Sequence, residues 1–319
     1  MNTIIGTDLD QAASLLRAGE LVAIPTETVY GLGGHALHTG AVAHIFAVKD
    51  RPSFDPLIIH LPRLAAVADY VTELPDRLRE LGERCWPGPL TLLLPKRSIV
   101  PDLVTAGLPR VAVRVPSHPL TRQLLERLDF PLAAPSANPF GYISPTRPQH
   151  VLDQLGGKIP YILDGGPCTV GVESTIVAEE EGEVVVLRKG GLPIEAIEAI
   201  VGPVVVRPHS SSRPAAPGML KSHYAPRAPL QLAGDRAELD ELKGEAVGAL
   251  VFRDWLPQLP REHQRRLSAE GDPEEAARHL FASLRELDQL GLQAIWAELL
   301  PEIGLGRAIN DRLRRAAAR

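Results

Sequence analysis

The chain has 319 residues, of which 45% are hydrophobic and 23% charged, with a formal net charge of -5 at pH 7. This length and composition predict one large or two ordinary folded domains and exclude a disordered chain. The negative charge and the 4% of aromatic residues argue against a general nucleic-acid binder or a base-stacking platform. Two cysteines, Cys85 and Cys168, exclude a disulfide scaffold and a four-thiolate metal site. No apolar run reaches the roughly 20 residues that span a bilayer, and no signal peptide is evident, so we expect a cytoplasmic protein.

The hydrophobic pattern predicts alternating helices and strands over the first 207 residues. Thr7 is expected to cap a first helix that ends at Arg17, and Ser117 and Thr146 are expected to cap two later helices. The other predicted helices are Ala41–Val48, Leu64–Val71, Asp76–Arg84 and Pro193–Val201. The predicted strands are Leu21–Ile24, Pro56–Leu61, Leu90–Leu94, Val111–Val115, Pro131–Ala134, Tyr161–Leu163, Thr175–Ala178, Val184–Leu187 and Val204–Val206. This alternation, with a hairpin at 175–187, indicates an α/β domain with a mixed sheet.

Composition changes at Pro208, where prolines and serines begin to recur. Because proline disfavours helices and central strands, 208–229 is predicted to be an extended linker. Its middle, PGMLKSHYAP, is richer in functional side chains than a spacer requires, so we expect it to fold back over a site. A smaller α/β pattern follows, with strands at Ala246–Phe252 and Ala294–Leu300 and helices at Pro273–Leu290 and Ile303–Ala318. We therefore predict domains at 1–207 and 230–319.

Two segments place hydroxyl, amide and glycine groups directly after short predicted strands. They are PTETVYGLGG, Pro25–Gly34, and APSANPFGYISPT, Ala134–Thr146. Loops of this kind build ligand sites because strand ends are rigid and the loops expose backbone donors. Lys49 and Arg51 follow a predicted helix, where two cations either hold an anion or complement the helix dipole. Together these features predict a pocket for a polar small molecule that carries phosphate.

Common alternatives to such a site are absent or weak. The sequence contains no GxxxxGK[ST] loop, no HExxH and no GxSxG elbow. Gly31–Ala36 matches GxGxxA, but Pro25–Tyr30 separates these glycines from the preceding strand, which argues against a dinucleotide loop. Arg114 and Arg188 each end an apolar strand, which is typical of a paired arginine or of a phosphate contact. His60 alone, inside an apolar strand, fits a buried structural histidine.

Six motifs in order resemble the two-domain threonylcarbamoyl-AMP synthases. They are PTETVYGLG, the Lys-x-Arg of KDRP, the Ser-x-Asn of APSANP, VESTIV, LRKGG and HYAP. The resemblance covers the N-terminal domain and the linker closely, and the region ending GLGRAINDRLRRAA is similar to the family's smaller Rossmann-like domain. It implies a YrdC-like open, twisted mixed sheet with a large concave, positively charged cavity.

The resemblance also implies an activity, that of a nucleotidyltransferase. Such an enzyme makes L-threonylcarbamoyladenylate from L-threonine, bicarbonate or CO2, and ATP with Mg2+, and it releases pyrophosphate. A separate tRNA threonylcarbamoyl transferase complex then uses the product to form N6-threonylcarbamoyladenosine (t6A) in tRNA. A direct contact with tRNA is left open, and no tightly bound organic cofactor is implied.

The family's site positions carry over residue by residue. Lys49 and Arg51 are implied to be catalytic. The implied ATP contacts are Lys49, Arg51, Ser53, Arg114, Ser136, Asn138, Ser144, Arg188, His223 and Tyr224, of which the last two belong to the linker. The implied L-threonine contacts are Thr26, His60, Ser174 and the backbone of Ala134. No residue is implied as a metal ligand. Asp55 stands where the family pattern has asparagine, and its carboxylate would repel a triphosphate unless it faces magnesium or solvent.

Two other functions stay open from the residues alone. An RNA-binding module with the same basic cavity is disfavoured by the net charge of -5 and the few aromatic residues. Two arginine clusters, Arg261–Arg266 and Arg312–Arg315, are more typical of solvated helix faces. A carbamoyltransferase-related enzyme, as in hydrogenase maturation, would carry acylphosphatase and zinc-finger regions that are not evident here. The three are distinguished by substrate: the synthase requires threonine, the transferase carbamoyl phosphate, and the RNA binder neither.

Overall fold

The computed structural model describes residues 2–207, 219–220, 222–244 and 246–318. These residues form two compact units. The first comprises Met1–Phe140, Pro145–Thr169 and Glu173–Leu220; the second comprises Gly141–Ser144, Val170–Val172 and Lys221–Arg319. Two short pieces of the chain, Gly141–Ser144 and Val170–Val172, thus belong to the second unit although residues of the first unit follow them in sequence. Most of the Pro- and Ser-rich part of the predicted linker lies outside the described residues.

In the first unit, eleven strands of the described residues form one mixed sheet. They are β1 (Ile4–Gly6), β2 (Val22–Ile24), β3 (Gly31–His35), β4 (Ile58–His60), β5 (Leu90–Pro95), β6 (Arg110–Arg114), β7 (Leu132–Ala133), β8 (Tyr161–Leu163), β9 (Thr175–Glu180), β10 (Glu183–Arg188) and β11 (Val205–Val206). Their order in the sheet is β1-β8-β2-β3-β7-β4-β6-β5-β9-β10-β11. The predicted hairpin is confirmed, since β9 and β10 pair antiparallel.

The helices of the first unit pack their apolar faces on this sheet. They are α1 (Leu9–Arg17), α2 (Thr39–Lys49), α3 (Asp76–Cys85), α4 (Asp102–Thr105), α5 (Pro119–Glu126), α6 (Pro148–Leu155) and α7 (Ile194–Val201), with a 3-10 helix at Leu64–Asp69. In α1 the buried residues Leu9, Ala12, Ala13 and Leu16 recur at helical spacing. Helix α2 ends at Lys49.

The three predicted helix caps were wrong. Asp8, not Thr7, caps α1, because its carboxylate accepts hydrogen bonds from the amides of Asp10 (2.9 Å) and Gln11 (3.0 Å). Helices α5 and α6 each start one residue later than caps at Ser117 and Thr146 would place them, at Pro119 and Pro148. Proline at the first helical position sets the helical φ angle in advance, so it determines where each of these helices begins.

Strand β3 was not predicted, because its sequence GLGGH is read as a loop. Glycine weakens the strand signal, yet it permits close approach of neighbouring chains. A Cβ on Gly34 would lie 2.8 Å from Leu21 Cδ2, and one on Gly33 would lie 3.1 Å from the carbonyl oxygen of Val22. The glycines therefore serve tight packing inside the sheet, and the argument against a dinucleotide loop is confirmed.

The second unit is a smaller α/β fold built on four parallel strands of the described residues. They are β12 (Leu230–Leu232), β13 (Val247–Val251), β14 (Gln264–Arg266) and β15 (Ala294–Ala297), in the order β12-β15-β13-β14. Its helices are α8 (Arg236–Asp240), α9 (Pro273–Asp288) and α10 (Gly306–Ala317), with a 3-10 helix at Arg261–His263. The predicted α/β class is confirmed for both units. In the described part of the chain, no helix has the length and apolar character needed to cross a membrane.

Candidate active site

Backbone contacts join the two polar segments that the sequence singled out. Leu32 N donates a hydrogen bond to Pro135 O at 2.6 Å, and Gly31 forms an isolated β-bridge with Ser136. The loop that follows β2 and the loop that follows β7 are therefore neighbours in the first unit. Their meeting depends on β3, which pairs with both strands.

The ammonium group of Lys49 lies beneath the second segment. Lys49 is 1% exposed, and its Nζ donates to the carbonyl oxygens of Ser136 and Asn138, both at 2.5 Å. Burial, followed by the charge of Arg51, holds the pKa of Lys49 well below its usual value, while Asp55 acts in the opposite direction. A negative ligand nearby would stabilise the charged form, so this position favours an anion.

The Asp55 carboxylate does not face solvent, and it is paired within the protein. It is 0% exposed, and its Oδ2 lies 2.9 Å from Nη2 of Arg51. Arg51 also donates to the carbonyl oxygens of Asp55 (3.1 Å) and Pro56 (2.8 Å) and lies over the ring of Phe140. The carboxylate thus orients and partly neutralises Arg51. Ser53 is exposed on the turn between them.

A second cluster forms around Arg114 at the end of β6. Its Nη2 lies 2.8 Å from Oε1 of Glu27, and its Nη1 donates to Oγ1 of Thr28 at 2.9 Å. Thr26 Oγ1 lies 2.8 Å from Thr28 Oγ1 and accepts from the amide of Val29, so the loop is stabilised by its own hydroxyls. Sequence reasoning missed Glu27 and Thr28, although both lie inside PTETVYG. A lone acidic residue among hydroxyl and apolar residues was the available signal.

His60 lies in register with Arg114 across the parallel pair β4 and β6. It is buried, and this burial together with the Arg114 charge lowers the pKa of its imidazole to about 3. The ring is therefore neutral throughout the physiological range. A neutral imidazole suits hydrogen bonding to a polar substrate and not charge pairing with a phosphate.

The low pKa of His60 predicts a specific loss of stability in acid. Because its folded pKa lies below the unfolded value of about 6.5, the unfolded state binds the proton first as the pH falls from about 6.5 toward 3. Between pH 7 and pH 5, urea unfolding of the wild type should lose about 2 kcal/mol more than that of His60→Gln. The partly exposed His44 offers a matched control, His44→Gln. An identical pH dependence for wild type and His60→Gln would contradict the assignment.

A third cluster surrounds Ser174, just before β9. Nη2 of Arg188 donates to Ser174 O at 2.8 Å and to Ser174 Oγ at 3.1 Å, and that hydroxyl lies 2.7 Å from Oγ1 of Thr91. All three side chains are buried. Arg188 therefore fixes the position of Ser174. Ala134, also buried, donates its amide to Ile58 O at 3.1 Å.

Three of the predicted ATP contacts, Ser144, His223 and Tyr224, belong to the second unit. Tyr224 is buried there at a φ of 67°, with Arg315 4.8 Å and Arg312 5.2 Å from its ring centre. The amide of His223 donates to Arg315 O at 3.1 Å. A solvated helix face was the wrong expectation for Arg312 and Arg315, because both are buried around this tyrosine.

The first unit's clusters suit charge stabilisation and positioning. The buried groups are Lys49, Arg51, Arg114, Arg188 and the neutral His60. Burial, and then the charge of Glu27, raises the pKa of the Cys168 thiol, so it stays protonated and is a poor nucleophile. Among the described residues, no group of three or more His, Cys, Asp or Glu side chains is placed to hold a metal ion. Such a site fits an enzyme that binds and aligns anionic substrates.

Comparison with known proteins identifies the family. The family model described as telomere recombination (Sua5, YciO and YrdC) matches residues 14–190, and the model described as threonylcarbamoyl-AMP synthase, C-terminal domain, matches residues 192–318. The chain is 42% identical to the threonylcarbamoyl-AMP synthase of Pyrococcus abyssi, over 96% of this chain and 93% of that protein. It is 41% identical to the threonylcarbamoyl-AMP synthase of Bacillus subtilis, over 96% and 92%.

A solved structure gives the same result. The crystal structure of P. abyssi Sua5 complexed with L-threonine matches with a TM-score of 0.91 and 40% sequence identity, over 99% of this chain and 97% of that one. The chain belongs to the threonylcarbamoyl-AMP synthases. The family, the fold class and the enzymatic activity predicted from the sequence are thereby confirmed. The full-length match decides against the RNA-binding and carbamoyltransferase alternatives.

Proposed function

We propose that this synthase performs its reaction at the site built around Lys49, within a catalytic domain that comprises residues 1–207. The observation that carries the proposal is the buried ammonium of Lys49, which lies beside Arg51 and donates to the carbonyls of Ser136 and Asn138. Two cations at this depth would be stabilised by the phosphates of ATP. Binding of the nucleotide would therefore add to the electrostatic stability of the site.

The chemistry requires alignment and charge neutralisation. The amine of L-threonine forms a carbamate either with bicarbonate, which releases water, or with CO2, which releases a proton. A carbamate oxygen then attacks the α-phosphorus of ATP. The bond from that phosphorus to the bridging oxygen breaks, and pyrophosphate leaves with the electron pair. Negative charge accumulates on the phosphoryl oxygens, which is where lysine and arginine are effective. No covalent enzyme intermediate is needed, which agrees with the protonated Cys168.

The roles of individual residues follow from their contacts. On the ATP side we propose Lys49 and Arg51 as catalytic cations, with Ser53, Ser136, Asn138, Ser144, His223 and Tyr224 as further contacts. Most N–H groups of Arg114 and Arg188 contact protein groups near Thr28 and Ser174, respectively. We therefore propose that the two arginines orient these loops and add positive charge to the site. On the threonine side we propose Thr26, the neutral His60, the backbone of Ala134, and Ser174.

Magnesium and the later steps belong to the same proposal. Mg2+ would arrive with ATP and be held mainly by phosphate oxygens and water, as is usual for this ion. The labile adenylate would pass to a tRNA threonylcarbamoyl transferase complex, and both steps would take place in the cytoplasm.

Threonine-dependent release of pyrophosphate tests the proposal directly. With ATP, Mg2+ and bicarbonate present, release should require L-threonine and should be faster with threonine than with serine. The product should be identified by mass as threonylcarbamoyladenylate. Release that is independent of threonine, or absent from protein shown to be folded by circular dichroism, would contradict the assignment of this site.

A further inference from the structure

The loop that carries Ser136 and Asn138 continues into the second unit. Within the first unit, the amide of Phe140 donates to Lys49 O at 2.8 Å. The next residues, Gly141–Ser144, belong to the second unit, and the chain returns to the first unit at Pro145. Whatever holds Gly141–Ser144 therefore restrains, through the chain itself, the two residues proposed to line the nucleotide.

Arg285 of α9 holds three consecutive residues of this segment. Its guanidinium is buried, donates to Ser144 O at 3.3 Å and to Ile143 O, and lies 5.2 Å from the ring centre of Tyr142. Ile143 and Ser144 are themselves fully buried. A single side chain thus satisfies two buried carbonyl groups that would otherwise lack these donors.

Asp288 lies one helical turn further along α9, on the same face as Arg285. Its Oδ2 accepts from the hydroxyl of Tyr142 at 2.5 Å, and its Oδ1 accepts from the amides of Arg227 (2.7 Å) and Ala228 (3.0 Å). Burial, and then this hydrogen bond, raises the pKa of Tyr142 to about 12, so the phenol remains a donor. Asp288 thus ties Gly141–Ser144 to the chain that directly follows the HYAP motif.

We propose that Arg285 and Asp288, here called the α9 clamp, are positioning residues for nucleotide binding and that this is one role of the C-terminal unit. The inference rests on the proposed function of the Lys49 site. The segment around Gly141–Ser144 is rich in residues that favour loops. Pro139 and Pro145 flank it, and Gly141 has a φ of 80°. Without the clamp, the loop would have to be ordered when ATP binds, and that entropy cost would appear as weaker ATP binding.

Arg285→Met tests the clamp, with Arg314→Met as the matched control. Arg314 is also an arginine of the second unit, but its side chain is 48% exposed in a surface ion pair with Glu302. In Arg285→Met, KM for ATP should rise about tenfold. KM for threonine should change less than about twofold, because Thr26, His60 and Ser174 lie on other segments of the chain and the Ala134 amide is held by Ile58 O at 3.1 Å. Amide hydrogen exchange at 136–144 should accelerate about tenfold or more, while that of β13 and β15 stays unchanged. Arg314→Met should show none of these effects.

Arg285→Lys and Asp288→Asn are milder substitutions that keep the proposal testable if Arg285→Met does not fold. Lysine keeps the charge and one donor direction, so an intermediate rise in KM for ATP is expected. Equal KM and exchange in Arg285→Met and Arg314→Met would overturn the proposal. So would acceleration spread evenly over the second unit, because Arg285 would then serve only its general stability. The exchange measurement needs no turnover; a wild type without threonine-dependent pyrophosphate release would refute the proposed function separately.

Discussion

Lys49→Met is expected to lower kcat/KM for ATP by about two to three orders of magnitude, the range observed when a preorganised charge-stabilising donor is removed. Methionine fills a similar volume without carrying charge. The reaction would lose the buried cation nearest the carbonyls of Ser136 and Asn138 and, on the proposed mechanism, a group that neutralises the phosphates. Steady-state pyrophosphate release at varied ATP measures this loss.

The same substitution also affects stability, so the assay requires a control for folding. Two buried carbonyls lose their donor, at a cost of about 1–3 kcal/mol each when no water replaces it. Activity should therefore be compared at a temperature where circular dichroism shows both proteins to be folded. Lys96→Met removes a lysine whose partner Asp102 is exposed, and it should retain wild-type kcat/KM. A decline in Lys49→Met that merely follows its unfolded fraction would contradict a catalytic role.

Glu27→Ala is expected to lower the free energy of unfolding by about 3–5 kcal/mol, the range for breaking one side of a buried ion pair. The side chains of Arg114 and Glu27 are 4% and 6% exposed, so the arginine would keep its charge in a site with little access to water. The amide of Ser117 would also lose its acceptor, Oε2 of Glu27. Urea unfolding at pH 7 measures the change.

An exposed ion pair supplies the matched control for this prediction. Glu80 and Arg84 form a pair on α3 whose side chains are 43% and 60% exposed, and Glu80→Ala should change stability by less than about 1 kcal/mol. The double variant Glu27→Ala/Arg114→Met should be more stable than Glu27→Ala alone, because it removes the unpaired charge. Equal losses in Glu27→Ala and Glu80→Ala would show that the buried pair does not stabilise the fold.

The outcome for individual elements shows which sequence signals were informative. Amphipathic helices such as α1 were predicted because their periodicity reports which face is buried. Strands such as β5 and β8 were predicted because a short continuous apolar run is typical of a strand buried on both faces. The glycine-rich β3 was missed because its reason for being a strand is close packing against Leu21 and Val22, which no local pattern records. The caps of α5 and α6 were misplaced because proline at the first helical turn outweighed the nearby hydroxyls.

The candidate site also contains features that were predicted and features that were missed. Its loops were recognisable because hydroxyl, amide and glycine residues after short strands are a local signature, and six motifs in a fixed order made the family specific. The contacts that give those residues their properties were not recognisable. Glu27 and Arg114, or Ser174 and Thr91, lie on segments far apart in the chain, and the sequence does not state which side chains contact each other.

Local periodicity and motifs a few residues long were enough to predict the α/β class, most helices and strands, the family and the candidate residues. The folded chain was needed to show that Asp55 is balanced by Arg51, that Lys49 and His60 have lowered pKa values, and that α9 holds Gly141–Ser144. These properties depend on burial. Desolvation and the pairing of distant groups set these energies, and both arise only when segments far apart in the chain are brought together.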